Sequence, residues 1–221
     1  MRPTTILGVV LTMSVFAVGI AAFGQASMRP CAPVSERTDS PGPACFTAKE
    51  IIGELPKGEP IFWHLYTFPD RVQAEAARGP HSTVVESLGK IWLFTIANAG
   101  WRPVGGEFVK KVGPLATSPD VKYEAVYMQS IFSPGMTAPL HTHSGVEAFY
   151  TLTGKTCLET SEGVQTGEGP GHVNLVAGGL PMLLMATGTE MRRGVVLILH
   201  DSSKPPTTME QTWKPTGLCK P

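Results

Sequence analysis

Two histidines and a glutamate, set between two glycines in residues 135–154, constrain the fold of this chain more than any other feature. His141 and His143 are two residues apart, so on a β-strand both side chains leave the same face. The Ser-Gly pair that follows predicts a turn, after which a return strand aims Glu147 at the two imidazoles. The pattern therefore predicts a β-hairpin that presents three polar side chains together.

The residue types in this hairpin predict a metal site. Two imidazoles and one carboxylate with open coordination positions suit a divalent ion such as iron, and imidazole also suits zinc, copper or nickel. The predicted ligands are His141, His143 and Glu147. The predicted cofactor is a divalent ion, and Fe, Mn, Ni, Zn and Cu all remain open as its identity.

The same stretch resembles the first motif of the cupins. Five residues separate Gly135 from His141, one separates the two histidines, three precede Glu147 and six precede Gly154, which matches that motif at every position. Cupins are small antiparallel β-barrels, so the resemblance implies an all-β fold, a cupin-type antiparallel barrel of the double-stranded β-helix or jelly-roll kind. It also implies a metal held by three histidines and one glutamate.

A second cupin motif follows Gly171 in outline only. Ala177 stands where the motif has proline, Met182 where it has the third metal-binding histidine, and Ala186 where it has asparagine. A methionine thioether is a soft, weak ligand that favours Cu(I) over Fe(II) or Mn(II).

This departure leaves three interpretations of the site open. The three ligands bind a metal together with water, another residue completes the site, or the pocket has lost its metal. The reserve ligands are His172, at the start of the strand that leads to the second motif, and His200, at the end of an apolar run.

The residues that alternate with the return strand predict the lining of a pocket. Phe149 and Thr151 share the face of Glu147, and the second motif brings Met182 and Leu184 to the same barrel interior. The pocket is expected to be mostly apolar and to suit a small, partly apolar molecule. Thr151 and its neighbour Tyr150 are candidates for orienting a substrate.

Three functional hypotheses follow from this pocket. The first is a metal-dependent oxygenase or a lyase or isomerase that acts on a small organic substrate. The second is a non-enzymatic module that binds a metal or small ligand, since no second acid or base is evident in the barrel. The third is an interaction domain with a vestigial site. No catalytic residue is assigned.

The N-terminus indicates export. An apolar run over residues 6–23 follows Arg2, and Gly24 and Ala26 supply small residues for cleavage after Ala26, so residues 1–26 are predicted to be a signal peptide. An uncleaved membrane anchor is the alternative. The mature protein is expected to be secreted or periplasmic and to have no membrane contact after cleavage.

Export favours disulfides among the four cysteines. Of the three possible pairings we favour Cys31 with Cys45 and Cys157 with Cys219. The second bond would hold the C-terminal tail against the barrel.

Composition limits the partners. The chain has 18 basic and 18 acidic residues, and it lacks a basic stripe, so nucleic acid is not expected as a partner. The expected partner is a small-molecule ligand or substrate, and a homodimer is left open. The basic pairs Lys110-Lys111 and Arg192-Arg193 are predicted to be solvated edges of strands.

Turn-forming residues divide the chain into segments. Residues 27–60 are predicted to form a Pro-rich N-terminal arm with a short helical possibility at 47–55, residues 61–200 the cupin barrel with extra strands, and residues 201–221 a C-terminal tail. One short helix is predicted over residues 70–78, with Asp at its start and Gly after its end.

Overall fold

The computed structural model describes residue 1 and residues 28–221. Apart from residue 1, the predicted signal peptide and its cleavage site therefore lie outside the described residues. The described chain contains a 3₁₀ turn at Val34–Glu36, one α-helix, α1 at Arg71–Ala76, and fourteen strands. The strands are β1 Gly42–Glu54, β2 Ile61–Phe68, β3 Ser82–Ser87, β4 Lys90–Asn98, β5 Glu107–Val112, β6 Lys122–Phe132, β7 His141–Thr142, β8 Val146–Thr153, β9 Lys155–Thr160, β10 Gly163–Glu168, β11 His172–Val176, β12 Met182–Thr187, β13 Arg192–Asp201 and β14 Thr208–Met209.

The strands form three antiparallel sheets, which we call central, front and back. The central sheet has the order β1-β6-β13-β8-β11, the front sheet β10-β9-β12-β7-β14, and the back sheet β3-β4-β2-β5. The all-β prediction with one short helix is confirmed.

Both faces of the central sheet are covered, and its sequence shows why. On β13, Val195 and Leu197 pack with the aromatic side chains of the back sheet, whereas Val196 and Ile198 pack with the front sheet. Successive residues of a strand point to opposite faces, so a strand buried on both sides reads as a continuous apolar run. The front and central sheets therefore enclose one core, and the back sheet packs on the outside of the barrel.

The predicted hairpin around the two histidines is not formed. β7 pairs with β12 and β14 in the front sheet, whereas β8 pairs with β11 and β13 in the central sheet. The Ser-Gly pair carries the chain from one sheet to the other instead of folding it back on itself. Two facing sheets thus supply the predicted ligands.

The segment before residue 60 is more ordered than its composition predicts. β1 pairs with β6 over its whole length, so the helical possibility at 47–55 is wrong, and residues 42–54 of the predicted N-terminal arm form a strand of the central sheet. β1 is an edge strand with several register shifts and few fully buried residues, which is why no clear two-residue alternation marks it.

The predicted short helix is confirmed as α1. Asp70 is its N-cap, and its carboxylate accepts a hydrogen bond from the backbone N–H of Gln73 at 2.8 Å. Among residues 28–221, no helix is long and apolar enough to span a membrane.

Two disulfide bonds connect the segments in the predicted pairs, Cys31 with Cys45 and Cys157 with Cys219. The second bond joins β9 to the end of the chain. Further contacts attach the same tail, because β14 pairs with β7 beside the predicted metal ligands.

Candidate metal centre

The three predicted ligands meet between the front and central sheets. His141 begins β7, His143 follows its last residue, and Glu147 is the second residue of β8. Their potential ligand atoms all lie within 4.8 Å of one another. Among the described residues, these three are the histidine, cysteine or carboxylate side chains that lie close enough together to hold a metal ion.

The chain crosses between the sheets at Gly145. The backbone packs so closely there that only glycine fits without a shift. A Cβ added at this position would stand 2.0 Å from the carbonyl oxygen of Leu199. No real Cβ approaches backbone so closely, so a larger residue requires the crossing to move. The glycine thereby fixes the step from His143 to Glu147.

The backbone orients the imidazole of His141. Its Nδ1 lies 2.6 Å from the carbonyl oxygen of Pro139. A carbonyl oxygen only accepts hydrogen bonds, so Nδ1 carries the proton and donates it. The Nε2 lone pair is left for a ligand, which is how metal-binding histidines are commonly oriented.

The C-terminal tail orients His143 in the same way. Its Nδ1 donates to the carbonyl oxygen of Pro206 at 2.6 Å, and the hydroxyl oxygen of Thr207 lies 3.2 Å from the same nitrogen. The Nε2 of His143 then faces Glu147, with 3.2 Å between that nitrogen and Oε2 of the carboxylate.

Both atoms of this contact are buried and lack a hydrogen-bond partner. The unpartnered buried atoms of the described chain include Nε2 of His143 and Oε2 of Glu147. When the imidazole is neutral, Nε2 offers a lone pair beside the carboxylate, and a shared cation would satisfy both atoms. The residues present therefore fit a divalent ion held by His141, His143 and Glu147.

The surroundings shift the pKa values of the two histidines in opposite directions. Burial lowers the pKa of His141, and the charge of His143 adds to this effect, although Glu147 opposes it. Burial also disfavours the charged form of His143, but the Glu147 carboxylate and the Pro206 carbonyl outweigh it and raise its pKa. The carboxylate thus acts most strongly on the histidine that it faces.

A cavity of about 330 Å³ opens beside this group. Apolar side chains form most of its wall, including four methionines: Met28, Met128, Met136 and Met209. The polar side chains that line it are Ser130, Thr137, His141, His143, Glu147 and Thr207. Its volume and its mostly apolar wall with few polar groups are typical of a small-molecule site.

The structure divides the predicted pocket residues into two groups. Phe149 and Leu184 line the cavity. Thr151 is fully buried deeper in the barrel, where its hydroxyl lies 3.2 Å from that of Thr156. Met182 is 1% exposed and lies opposite His141 in the β12–β7 pair, within the apolar core of the barrel.

The remaining candidates lie apart from the three ligands. His172 packs its ring close to Gly167, and His200 donates from Nδ1 to the carbonyl oxygen of Asp201 at 2.9 Å. Neither belongs to the metal-ligand group. Tyr150 packs against Trp92 on the opposite face of the central sheet, so it does not face the cavity.

Sequence reasoning also placed Arg192 wrongly, and it missed two residues that support the site. Arg192 is fully buried, so the prediction that it is a solvated strand edge is wrong; it begins a central strand on the interior face. Pro206 and Thr207, which contact Nδ1 of His143, were predicted only to belong to the C-terminal tail. The pairing of Cys157 with Cys219 was the one signal that the tail returns to the barrel.

Two antiparallel sheets around a shared cavity, with the first motif at their crossing, define a cupin-type double-stranded β-helix. No protein-family model and no curated protein matches this chain. Among solved structures it is similar to a DMSP lyase, with 17% identity, 39% of this chain and 44% of the other covered, and a TM-score of 0.34.

An oxalate oxidase matches with 19% identity, 38% of this chain and 45% of the other covered, and a TM-score of 0.33. A cupin-like protein from Thermotoga maritima matches with 15% identity, 39% of this chain and 64% of the other covered, and a TM-score of 0.36. Each alignment thus spans less than two thirds of the other protein.

Proposed function

We propose that this protein is an exported small cupin that binds a divalent metal ion through His141, His143 and Glu147 and acts on a small organic molecule. The contact between His143 Nε2 and Glu147 Oε2 carries the proposal, because the two buried atoms lie 3.2 Å apart, neither has a hydrogen-bond partner, and both offer electron pairs to a cation when the imidazole is neutral. Export is supported by the apolar N-terminal segment and by the two disulfides.

The reaction types that suit this site are oxygenation and lyase or isomerase chemistry. A bound metal ion would supply Lewis acidity, lower the pKa of a coordinated water, or bind dioxygen if it is iron. The chain itself contributes orientation and exclusion of water: the Pro139 and Pro206 carbonyls fix both imidazoles, and the apolar wall shields the bound molecule.

A non-enzymatic binding module is the second candidate function. One observation favours it: apart from the three ligand candidates, the described residues that line the cavity include no acid or base, only the hydroxyls of Ser130, Thr137 and Thr207. Such a wall can hold a ligand, but it offers no separate group for general acid or base catalysis.

Turnover measurements separate the two functions. Protein loaded with Fe(II), Mn(II), Ni(II), Zn(II) or Cu(II) is incubated with a panel of small hydroxy, keto and unsaturated acids, with and without dioxygen. Product that requires both the metal and Glu147, as judged with Glu147→Gln, supports the enzyme. Ligand binding without product under every condition supports the binding module.

A further inference from the structure

The barrel contains a buried positive charge that lies outside the group of predicted metal ligands. Arg192, the first residue of β13, is 0% exposed and extends between the two sheets. Its Nε donates to the hydroxyl of Thr156 at 2.8 Å, and its Nη1 donates to the hydroxyl of Ser130 at 2.5 Å. The guanidinium carbon lies 5.7 Å from the centre of the Phe149 ring.

This guanidinium has no carboxylate partner. Among the ion pairs of the described residues none includes Arg192, and its Nη2 has no hydrogen-bond partner. Buried arginines are normally paired, because an isolated charge in an apolar interior is costly. Burial lowers the pKa of Arg192 to about 10, although the charge of the Glu147 carboxylate opposes this effect, so the group stays charged at neutral pH.

Ser130 carries the effect of this charge to the cavity. Its oxygen accepts from Arg192, so its own proton is free to be donated, and no acceptor for that proton is found among the described residues. Ser130 also lines the cavity, as does Phe149. A hydroxyl that accepts from a cation is a strengthened donor, because hydrogen bonds polarise one another along a chain.

The serine and the metal ligands lie at different levels of the same cavity. On β13, Gly194 is the partner of Ser130 and Ile198 is the partner of Glu147. Four residues separate these partners, which corresponds to about 13 Å along the strand. The wall between the two levels is apolar, with Phe149 and Val196 among its residues.

We propose that the Ser130 end of the cavity binds the carboxylate of a small organic acid, with the Ser130 hydroxyl as the direct donor and Arg192 as the positioning residue behind it. The apolar body of the acid lies along the wall, and its other end reaches His141, His143 and Glu147. This inference rests on the proposed function, because it takes the same cavity as the ligand site. It adds the class of substrate, a small organic acid.

The test compares hexanoate with hexanamide, which has the same shape and no charge, by calorimetric titration of the full mature chain. We expect wild type to bind hexanoate about tenfold more tightly than hexanamide. Ser130→Ala is expected to abolish this preference and Ser130→Thr to retain it. The matched control is Ser87→Ala, which removes a buried hydroxyl bonded to Gln129 outside the cavity and should keep the preference.

Arg192→Lys tests the positioning role, since lysine keeps the charge but loses the guanidinium fork. Hexanoate affinity should fall towards that of hexanamide, while hexanamide affinity stays at the wild-type value, an outcome that a general loss of structure would not produce. Equal affinities of wild type for the two probes, or an unchanged preference in Ser130→Ala, overturn the proposal. So does the absence of any hexanoate binding.

The same titrations with His141→Ala and with chelator-treated protein separate this inference from the metal site. A preference for hexanoate that persists without metal, and still depends on Ser130, supports the carboxylate subsite even if the metal proposal fails. Metal binding by wild type without any preference for hexanoate overturns the subsite alone.

Discussion

The Nε2 of His143 lies 3.2 Å from Oε2 of Glu147, and neither atom has a hydrogen-bond partner. The two residues come from different sheets, because His143 follows β7 of the front sheet and Glu147 belongs to β8 of the central sheet. The site therefore depends on the packing of the whole barrel. Substitutions that do not remove a ligand are thus expected to alter metal binding.

Gly145→Ala should disturb the site without touching a ligand. The new Cβ would meet the Leu199 carbonyl oxygen at 2.0 Å, so the crossing between the sheets must shift. We expect a loss of about 1–3 kcal/mol in the free energy of unfolding and weaker metal binding. Denaturant unfolding and metal titration measure both quantities. Gly42→Ala is the matched control, because a Cβ there meets nothing within 4 Å; equal behaviour of the two variants would contradict the prediction.

Removal of the Cys157–Cys219 bond should weaken both the fold and the metal site. This bond closes a separation of 62 residues, against 14 for Cys31–Cys45, so its loss should cost about 4 kcal/mol and loss of the shorter one about 3 kcal/mol. The tail also positions the Pro206 carbonyl on His143. Paired Cys→Ser variants at each bond are compared by thermal unfolding and metal titration. A full metal affinity in the variant without the Cys157–Cys219 bond would contradict the prediction and show that the orientation of His143 does not depend on this bond.

Glu159 should make the attachment of the C-terminal tail to the barrel weaker in acid. The carboxylate is 1% exposed and accepts from the Thr216 hydroxyl at 2.8 Å and from the Leu218 backbone N–H at 2.9 Å. Burial alone would raise its pKa, but these hydrogen bonds outweigh burial and lower it.

A lowered pKa means that this stability is fully present above pH 4.5, the ordinary value for glutamate, and is lost as the pH falls through the lowered value. Glu159→Gln should therefore cost about 1–3 kcal/mol at neutral pH and flatten the loss of stability below pH 4.5. Denaturant unfolding at a series of pH values checks the expectation. Parallel acid curves for the two proteins would exclude Glu159 as the group responsible.

Met182→His tests whether the second motif keeps its geometry. Met182 is the partner of His141 in the β12–β7 pair, and directly opposed residues share a face of the sheet, so a histidine there would stand beside the site. Metal affinity should rise, since imidazole binds Fe(II), Ni(II) or Zn(II) better than a thioether does. Without metal the buried ring should cost about 1–3 kcal/mol. Thermal melts with and without metal decide: destabilisation that no metal relieves would make Met182 a core residue only.

The sequence was most informative where a short stretch determines the structure. The spacing of His141, His143 and Glu147 predicts their meeting, and Asp70 marks the start of the helix by a local hydrogen bond. The hairpin prediction was wrong because the same spacing is compatible with a hairpin turn and with a crossing between two sheets. Only the pairing of β7 with β12 distinguishes these two structures.

Features that depend on distant parts of the chain were not predictable in this way. Arg192 was taken for a surface residue because its neighbours in sequence do not reveal that β13 is a central strand. β1 was missed because its pairing with β6, about 80 residues away, orders a segment of weak pattern. The Pro206 carbonyl belongs to the backbone, so no pattern of side chains in the sequence indicates its hydrogen bond with His143.

Metal content measured on the purified protein tests the central claim most directly. After saturation with a divalent ion and exchange into chelator-free buffer, elemental analysis should find about one ion per wild-type chain. His143→Ala and Glu147→Gln should lose it, whereas His172→Ala, a histidine outside the group, should keep it. Equal metal content in wild type and His143→Ala would contradict the account, because the contact between His143 and Glu147 would then hold no ion.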